Sequence, residues 1–163
     1  MKKGIIKPAA AEITEKDKEA EAVKEYLKGY KRAESAAAAY RNEIETEQQL
    51  LKSLLVDMPP RLQKMNNDRI KDIERHINTL WQREKIEREK SKAFKSIIDA
   101  VPGAEGELLN KRYIDGLIWD DIAAALNYSL TNTHRVHNKA LHLAADIIKA
   151  QGIDLNESSP DKS

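Results

Sequence analysis

Apolar side chains recur every three or four residues along the first third of the chain. The positions that are seven residues apart are Val23, Tyr30, Ala37, Ile44 and Leu51, with Leu27, Ala33, Tyr40 and Leu54 near the intermediate positions. This spacing, sustained over more than four heptads, is typical of a helix that packs along a coiled-coil seam. We expect one long helix that tolerates Gly29, preceded by a flexible lead-in over residues 1–19.

A second periodic run follows a clear stop. Pro59 and Pro60 cannot continue a helix, because proline lacks the N–H group and disfavours α conformation in the preceding residue. The second run has a polar gap at Glu84 and Glu87, and its apolar members are Ile70, Ile73, Ile77, Leu80, Phe94, Ile97, Ile98 and Val101. The pattern predicts an all-α protein with a long antiparallel, coiled-coil-like hairpin over residues 20–101, each helix roughly 50–60 Å long. Since such a hairpin buries only one stripe per helix, we expect a homo-oligomer, with a dimer favoured.

The segment 104–150 changes character, because short helices replace the long repeat. A first helix is expected to end at Gly116, a residue suited to the left-handed position after a helix. A second covers Trp119–Leu126, and Asn127 supplies a turn that tolerates positive φ. Ser129 is placed to cap a third helix over about 130–148, and the polar tail 151–163 is expected to be disordered.

The last two helices meet the requirements of a helix-turn-helix. This motif needs a small residue where its helices cross, a left-handed residue in the turn and apolar residues in its second helix. Ala123 supplies the first, Asn127 the second, and Val136 with Ala140 most of the third. Thr133 departs from the pattern, because its hydroxyl needs a hydrogen-bond partner if it is buried.

The residues of this segment also resemble a known family. The run Arg112-Tyr113-Ile114-x-Gly116-x-x-Trp119-x-x-Ile122-Ala123-x-x-Leu126-x-Tyr128-Ser129 resembles region 4 of sigma-70 factors. With His137 and Ala140-Leu141 added, it is similar to the ArpU/RinA-like phage transcriptional regulators of Gram-positive hosts, over about Leu108–Leu143. The resemblance implies a protein of the bacterial cytoplasm that controls phage or prophage late genes on double-stranded DNA, with RNA polymerase as a further candidate partner.

The third helix would then enter the major groove with the outward-facing residues of its N-terminal half. Arg135 is suited to guanine O6 and N7, and Asn132 or Asn138 to adenine N6 and N7. Ser129, Thr131 and Lys139 are better placed to contact phosphate groups. The full set of predicted DNA-binding residues is Ser129, Leu130, Thr131, Asn132, His134, Arg135, Asn138 and Lys139.

Charge is distributed unevenly, although the formal net charge is only +1. Residues 61–96 carry 11 basic and 6 acidic side chains, a net of +5, whereas residues 97–163 carry 6 basic and 10 acidic ones, a net of −4. Asp115, Asp120 and Asp121 would repel DNA if they faced it, so we expect them to point away. The run 83–90 mixes signs and is expected to be a solvated helix face.

Several classes of function lack support. No Gly-rich phosphate loop, nucleophile elbow or paired-carboxylate motif is present, so we expect no enzyme, no catalytic residue and no cofactor. His134, His137 and His142 do not share one helix face and cysteine is absent, so no metal site is expected either. Trp119 fits the buried stripe beside Ile122 and is expected in the core. Without a membrane-length apolar run or a signal segment, the chain is expected to be cytosolic.

Two alternatives stay open. A phage small terminase subunit, which packages DNA, also combines a helix-turn-helix with helical hairpins, but usually with the DNA-binding motif first. A coiled-coil adaptor that binds only protein is the other. A dimer favours the regulator, a larger closed ring favours the terminase subunit, and failure to bind DNA favours the adaptor.

Overall fold

The described part of the chain is helical throughout. A computed structural model describes residues 14–56 and 59–155, and no strand occurs among them, which confirms the all-α class. The helices are α1 (Glu15–Leu27), α2 (Gly29–Val56), α3 (Pro60–Ala100), α4 (Gly103–Leu109), a π-helical turn (Asn110–Ile114), α5 (Trp119–Leu126) and α6 (Leu130–Ala150).

Helix α1 begins earlier than the apolar repeat indicates. Thr14 accepts a hydrogen bond from the backbone N–H of Asp17, and the Asp17 carboxylate accepts one from the Thr14 N–H. This reciprocal capping satisfies two backbone donors that a helix start would otherwise leave open. The expected flexible lead-in over residues 1–19 was therefore wrong for residues 14–19, and residues 1–13 lie outside the described part.

The expected single long helix through Gly29 is interrupted. Lys28 separates α1 from α2 as a turn residue, with φ −62° and ψ −18°. At Gly29 a Cβ atom would lie 2.5 Å from the ring of Phe94, closer than real Cβ contacts. The glycine thus lets an aromatic ring pack directly on the backbone where the two helices meet. Downstream, α3 starts with Pro60, the helix position where a missing N–H costs least.

Residues 31–92 form one compact unit in which the α2 and α3 segments run antiparallel. The direction follows from two contacts, because Arg41 pairs with Glu84 and Glu43 pairs with His76. The core of this unit is small, and its buried apolar members are Ala33, Ala37, Ile44, Ile73, Ile77 and Leu80. These are positions of the predicted seam, so the periodicity identified the packed stripe.

Glu84 lies inside this seam rather than in a polar gap. Its side chain is 3% exposed and its carboxylate accepts hydrogen bonds from Arg41 at 2.8 Å and from Arg88 at 3.3 Å. A carboxylate buried to this degree stays charged only when it is paired. The two arginines reach it from the half-exposed rim, so the polar position is built into the helix interface.

The second compact unit combines the described residues 14–30 with 93–155. Its core joins the base of the predicted hairpin to the predicted helix-turn-helix segment. The buried members are Ala20, Val23, Leu27, Ile97, Ile98, Val101, Leu108, Leu109, Tyr113, Ile122, Val136, Ala140, Leu141, Ala144, Ala145 and Ile148. Apolar residues from the predicted segments 20–101 and 104–150 therefore share one core.

Local backbone features hold this unit together. Gly106 is buried, and a Cβ there would lie 1.8 Å from the carbonyl oxygen of Val101, so only glycine fits. Gly116 has φ +74°, the left-handed conformation expected of it, although a π-helical turn intervenes between α4 and this residue. After α6, Ile153 and Leu155 pack on the core, so the expected disordered tail was wrong for residues 151–155. Residues 156–163 lie outside the described part.

Candidate nucleic-acid interface

Helices α5 and α6 contact each other and are joined by a tight turn. Asn127 has φ 61° and ψ 39°, the left-handed conformation predicted for it. The backbone N–H of Tyr128 donates to the carbonyl of Ala123 at 2.9 Å, which satisfies a helix-end acceptor. Ser129 is extended and its hydroxyl accepts a hydrogen bond from the backbone N–H of Asn132 at 3.0 Å. The predicted turn and the predicted cap of the third helix are both confirmed.

The inward side of α6 is closed by small and apolar residues. Val136 and Ala140 are buried, and Ala123 on α5 is 8% exposed. Thr133 is fully buried, and its hydroxyl donates to the Ser129 carbonyl at 2.8 Å. The hydroxyl that the sequence left without a partner is therefore satisfied within the helix itself.

We refer to the eight predicted DNA-binding residues, Ser129–Asn132, His134, Arg135, Asn138 and Lys139, as the α6 surface. All of them are exposed except Asn132, which is half-buried. Arg135 donates to the Asn132 side-chain oxygen from Nε at 3.0 Å and from Nη2 at 2.5 Å. The structure thus gathers the predicted residues on the outward side of α6, with Arg135 held along the helix.

Lys139 has a partner from another helix. Its ammonium group lies 3.3 Å from the carboxylate of Glu105, in the first turn of α4. A hydrogen bond from its own backbone N–H, then Lys139 and Arg135, hold the pKa of Glu105 below its usual value. Sequence reasoning missed this residue, because nothing in a local pattern relates a helix start to a position more than thirty residues later.

An aromatic group supports the α6 surface from behind. Trp119 is half-buried rather than fully in the core as expected, and its ring lies 4.8 Å from the His134 ring and 4.6 Å from the His137 ring. The guanidinium of Arg112 sits 4.5 Å from the same indole, a cation–π contact, and donates to the Leu117 carbonyl at 3.0 Å. Trp119 therefore joins the π-helical turn to α6 and positions the exposed His134 ring.

His137 is a buried residue of α6. It is 7% exposed, and its Nε2 atom is 2.8 Å from the Tyr113 hydroxyl. Burial, followed by the nearby charges of Lys24, His134 and Arg112, lowers the pKa of His137 to about 4. Burial also raises the pKa of Tyr113. The pair is accordingly a neutral hydrogen bond that packs α6 against the π-helical turn.

The remaining histidine of α6 contributes to a third kind of contact. His142 Nδ1 lies 3.2 Å from the carboxylate of Glu19 on α1, and Lys149 pairs with the same carboxylate. Hydrogen bonds from Lys149 and then His142 lower the pKa of Glu19.

In residues 14–56 and 59–155, no three His, Cys, Asp or Glu side chains are arranged to hold a metal ion. None of the helices described there is long and apolar enough to cross a membrane.

The acidic residues near the turn are exposed. Asp120 and Asp121 occupy the first turn of α5, and Asp115 precedes Gly116. Acidic side chains in a first turn interact favourably with the positive end of the helix dipole.

A comparison of the chain with models of protein families, with curated proteins and with solved structures finds no significant match.

Proposed function

We propose that the protein is a sequence-specific DNA-binding transcription regulator whose α6 surface lies in the major groove. The observation that carries this proposal is the α6 surface itself. Polar donors and acceptors are exposed on the N-terminal half of α6. The left-handed turn at Asn127 precedes this helix, and its inward face is buried. A helix of this kind fits the width of the major groove.

Each residue of the surface has a distinct proposed role. Arg135 reads guanine through O6 and N7, while the bond to Asn132 restricts the rotamers of its guanidinium. Asn138 is exposed and reads adenine, whereas the half-buried Asn132 orients Arg135. Ser129, Thr131 and Lys139 contact phosphates. Leu130 and His134 are the other exposed members of the surface.

The protein does not need an active site for this role. The resemblance of residues 108–143 to ArpU/RinA-like regulators narrows the proposal to phage or prophage late genes in a bacterial cytoplasm, with RNA polymerase as a second partner. No catalytic residue and no cofactor are part of the proposal.

We further infer that the unit of residues 31–92 pairs with a second copy. Among the described residues of this unit, four large apolar side chains are buried, Ile44, Ile73, Ile77 and Leu80, whereas seven are exposed. These seven are Leu50, Leu55, Val56, Leu62, Met65, Trp81 and Ile86. The predicted coiled-coil hairpin buries one stripe per helix, and exposed apolar side chains in this number support pairing with another chain. Two α6 helices in a dimer would contact half-sites separated by whole turns of DNA.

The test is a salt-titrated binding assay on DNA fragments from the genomic region around the gene. Wild type is compared with Arg135→Ala, Asn138→Ala and the control Gln151→Ala, which alters an exposed residue beyond the end of α6. The proposal expects one fragment to be preferred by wild type and the control, and that preference to disappear in the first two variants. Equal binding to every fragment by all four proteins would refute it.

Light scattering on the same preparations separates the alternatives. A dimer is expected for the regulator, and Met65→Glu, which places a charge on the most exposed apolar side chain, should shift it toward monomer. A larger closed ring would favour the terminase subunit. A protein that binds no DNA at moderate salt would favour the adaptor.

A further inference from the structure

Glu105 is the acidic side chain that contacts the α6 surface. Its carboxylate reaches from the first turn of α4 to within 3.3 Å of the Lys139 ammonium. The Glu105 side chain is only 20% exposed, whereas that of Lys139 is 64% exposed. The lysine is therefore the exposed partner of the pair, and the carboxylate is the one that is largely covered.

The same carboxylate acts on the second cation of the surface. Arg135 contributes to the lowered pKa of Glu105, so the charge of Glu105 is felt by both Arg135 and Lys139. These two residues carry the only permanent positive charges of the α6 surface. One carboxylate thus offsets about half of the charge that the surface can present to a phosphate backbone.

We propose that Glu105 sets the affinity of the α6 surface for DNA phosphate, because Lys139 must exchange this carboxylate for a phosphate on binding. This inference rests on the proposed function and adds a residue that lies outside the α6 surface. Phosphate contacts give affinity without reading sequence. Glu105 therefore weakens binding to matching and non-matching duplexes by the same factor and leaves the preference between them unchanged.

The experiment compares Glu105→Gln with wild type on duplex oligonucleotides over a range of salt concentrations. Glu107→Gln is the matched control, since Glu107 lies on the same helix and pairs with Lys111 of the π-helical turn, at 3.9 Å, rather than with the α6 surface. Exposed ion pairs carry modest energies, so Glu105→Gln should bind about two- to five-fold more tightly. Its plot of log affinity against log salt should steepen by about one ion, while Glu107→Gln behaves like wild type.

The lysine is tested by a double-mutant cycle with Lys139→Ala. Glu105→Gln should tighten binding much less in the Lys139→Ala background than in wild type, because the exchange has lost its cation. An undiminished gain in that background would overturn the assignment to Lys139. Thermal denaturation checks folding, and Glu105→Asp, which withdraws the carboxylate by one methylene, replaces Glu105→Gln should the latter not fold.

The outcomes separate this inference from the function on which it rests. Unchanged affinity and salt slope in folded Glu105→Gln, together with loss of preference in Arg135→Ala, would overturn the inference and support the function. Absence of DNA binding by wild type, Glu105→Gln and Lys139→Ala alike would overturn both.

Discussion

Acidification is expected to destabilise the unit that contains α6, because His137 is buried there without a charged partner to stabilise its protonated form. Its imidazole faces Lys24 from α1, Arg112 and Tyr113 from the π-helical turn, and His134 from its own helix. None of these groups is a carboxylate. Protonating His137 would therefore place a cation in an apolar site beside other cations.

The magnitude follows from the difference in pKa between the two states. The pKa of His137 falls from 6.5 to about 4 on folding, so between these pH values the unfolded chain binds more protons than the folded one. Stability is fully present above about pH 6.5 and is lost as the pH falls toward 4. The total loss is about 3 kcal/mol, of which about 2 kcal/mol falls between pH 7 and pH 5.

Urea denaturation at pH 7, 6 and 5 measures this loss. His137→Gln keeps a group that can hydrogen-bond to Tyr113 and removes the titration of the imidazole. As the pH is lowered from 7 to 5, the free energy of unfolding of this variant should therefore decrease less than that of wild type. The two slopes should differ by about 2 kcal/mol over this interval. His134→Gln is the comparison on the same helix, because the His134 charge contributes less than burial to the lowered pKa of His137 and its replacement should change the slope less than His137→Gln does.

Proton NMR reports the same quantity directly. The His137 ring should remain neutral at pH 5, well below the midpoint of a free imidazole. A titration midpoint near 6.5, or equal pH slopes for wild type and His137→Gln, would show that the ring is not desolvated and would refute the argument.

Three stability predictions can be tested by denaturation under one set of conditions. Ile148→Ala removes a side chain with no exposed surface and should cost about 2–5 kcal/mol, and a loss below 1 kcal/mol would mean that this core is loosely packed. Ser129→Ala should cost about 1 kcal/mol and Ser129→Gly only a few tenths, so equal losses would argue against the capping bond. Glu84→Gln should lower stability by about 1–2 kcal/mol, because it weakens the hydrogen bonds from Arg41 and Arg88 while both arginines keep access to water. A stabilised Glu84→Gln would show that desolvation of the carboxylate outweighs its pairing.

Local rules predicted the backbone of the candidate interface well. Asn127 and Gly116 adopt left-handed conformations, and Ser129 caps α6, because each depends on the chemistry of a few neighbouring residues. The start of α1 was equally local, since Thr14 and Asp17 form a capping box with aspartate in place of the usual glutamate. That signal was available in the sequence but lay ahead of the apolar repeat.

The features that escaped prediction depend on distant residues. The need for glycine at position 29 is explained by the ring of Phe94, and the burial of Glu84 by Arg41 from the other helix. The environment of His137 requires Tyr113, 24 positions earlier. A periodic pattern shows which face of a helix is packed, but not which residue from elsewhere packs against it.

The division of the chain into two compact units was not apparent from the sequence for a related reason. A continuous helix looks like one domain in sequence, whereas compact units are defined by which apolar residues share a core. Val23 and Ile98 lie on the predicted hairpin, yet they pack with Ile148. The heptad repeat continues from residues of one core to residues of the other, and no change in its spacing indicates where the change occurs.

The central claim is that α6 reads DNA sequence, and selection from a pool of random duplexes tests it most directly. Wild type is predicted to enrich a short motif, repeated with two-fold symmetry if the protein is a dimer. Asn138→Ala should relax the preference at an adenine position and Arg135→Ala at a guanine position, each by about 1–3 kcal/mol. No enriched motif, or the same motif enriched by wild type and both variants, would contradict the account.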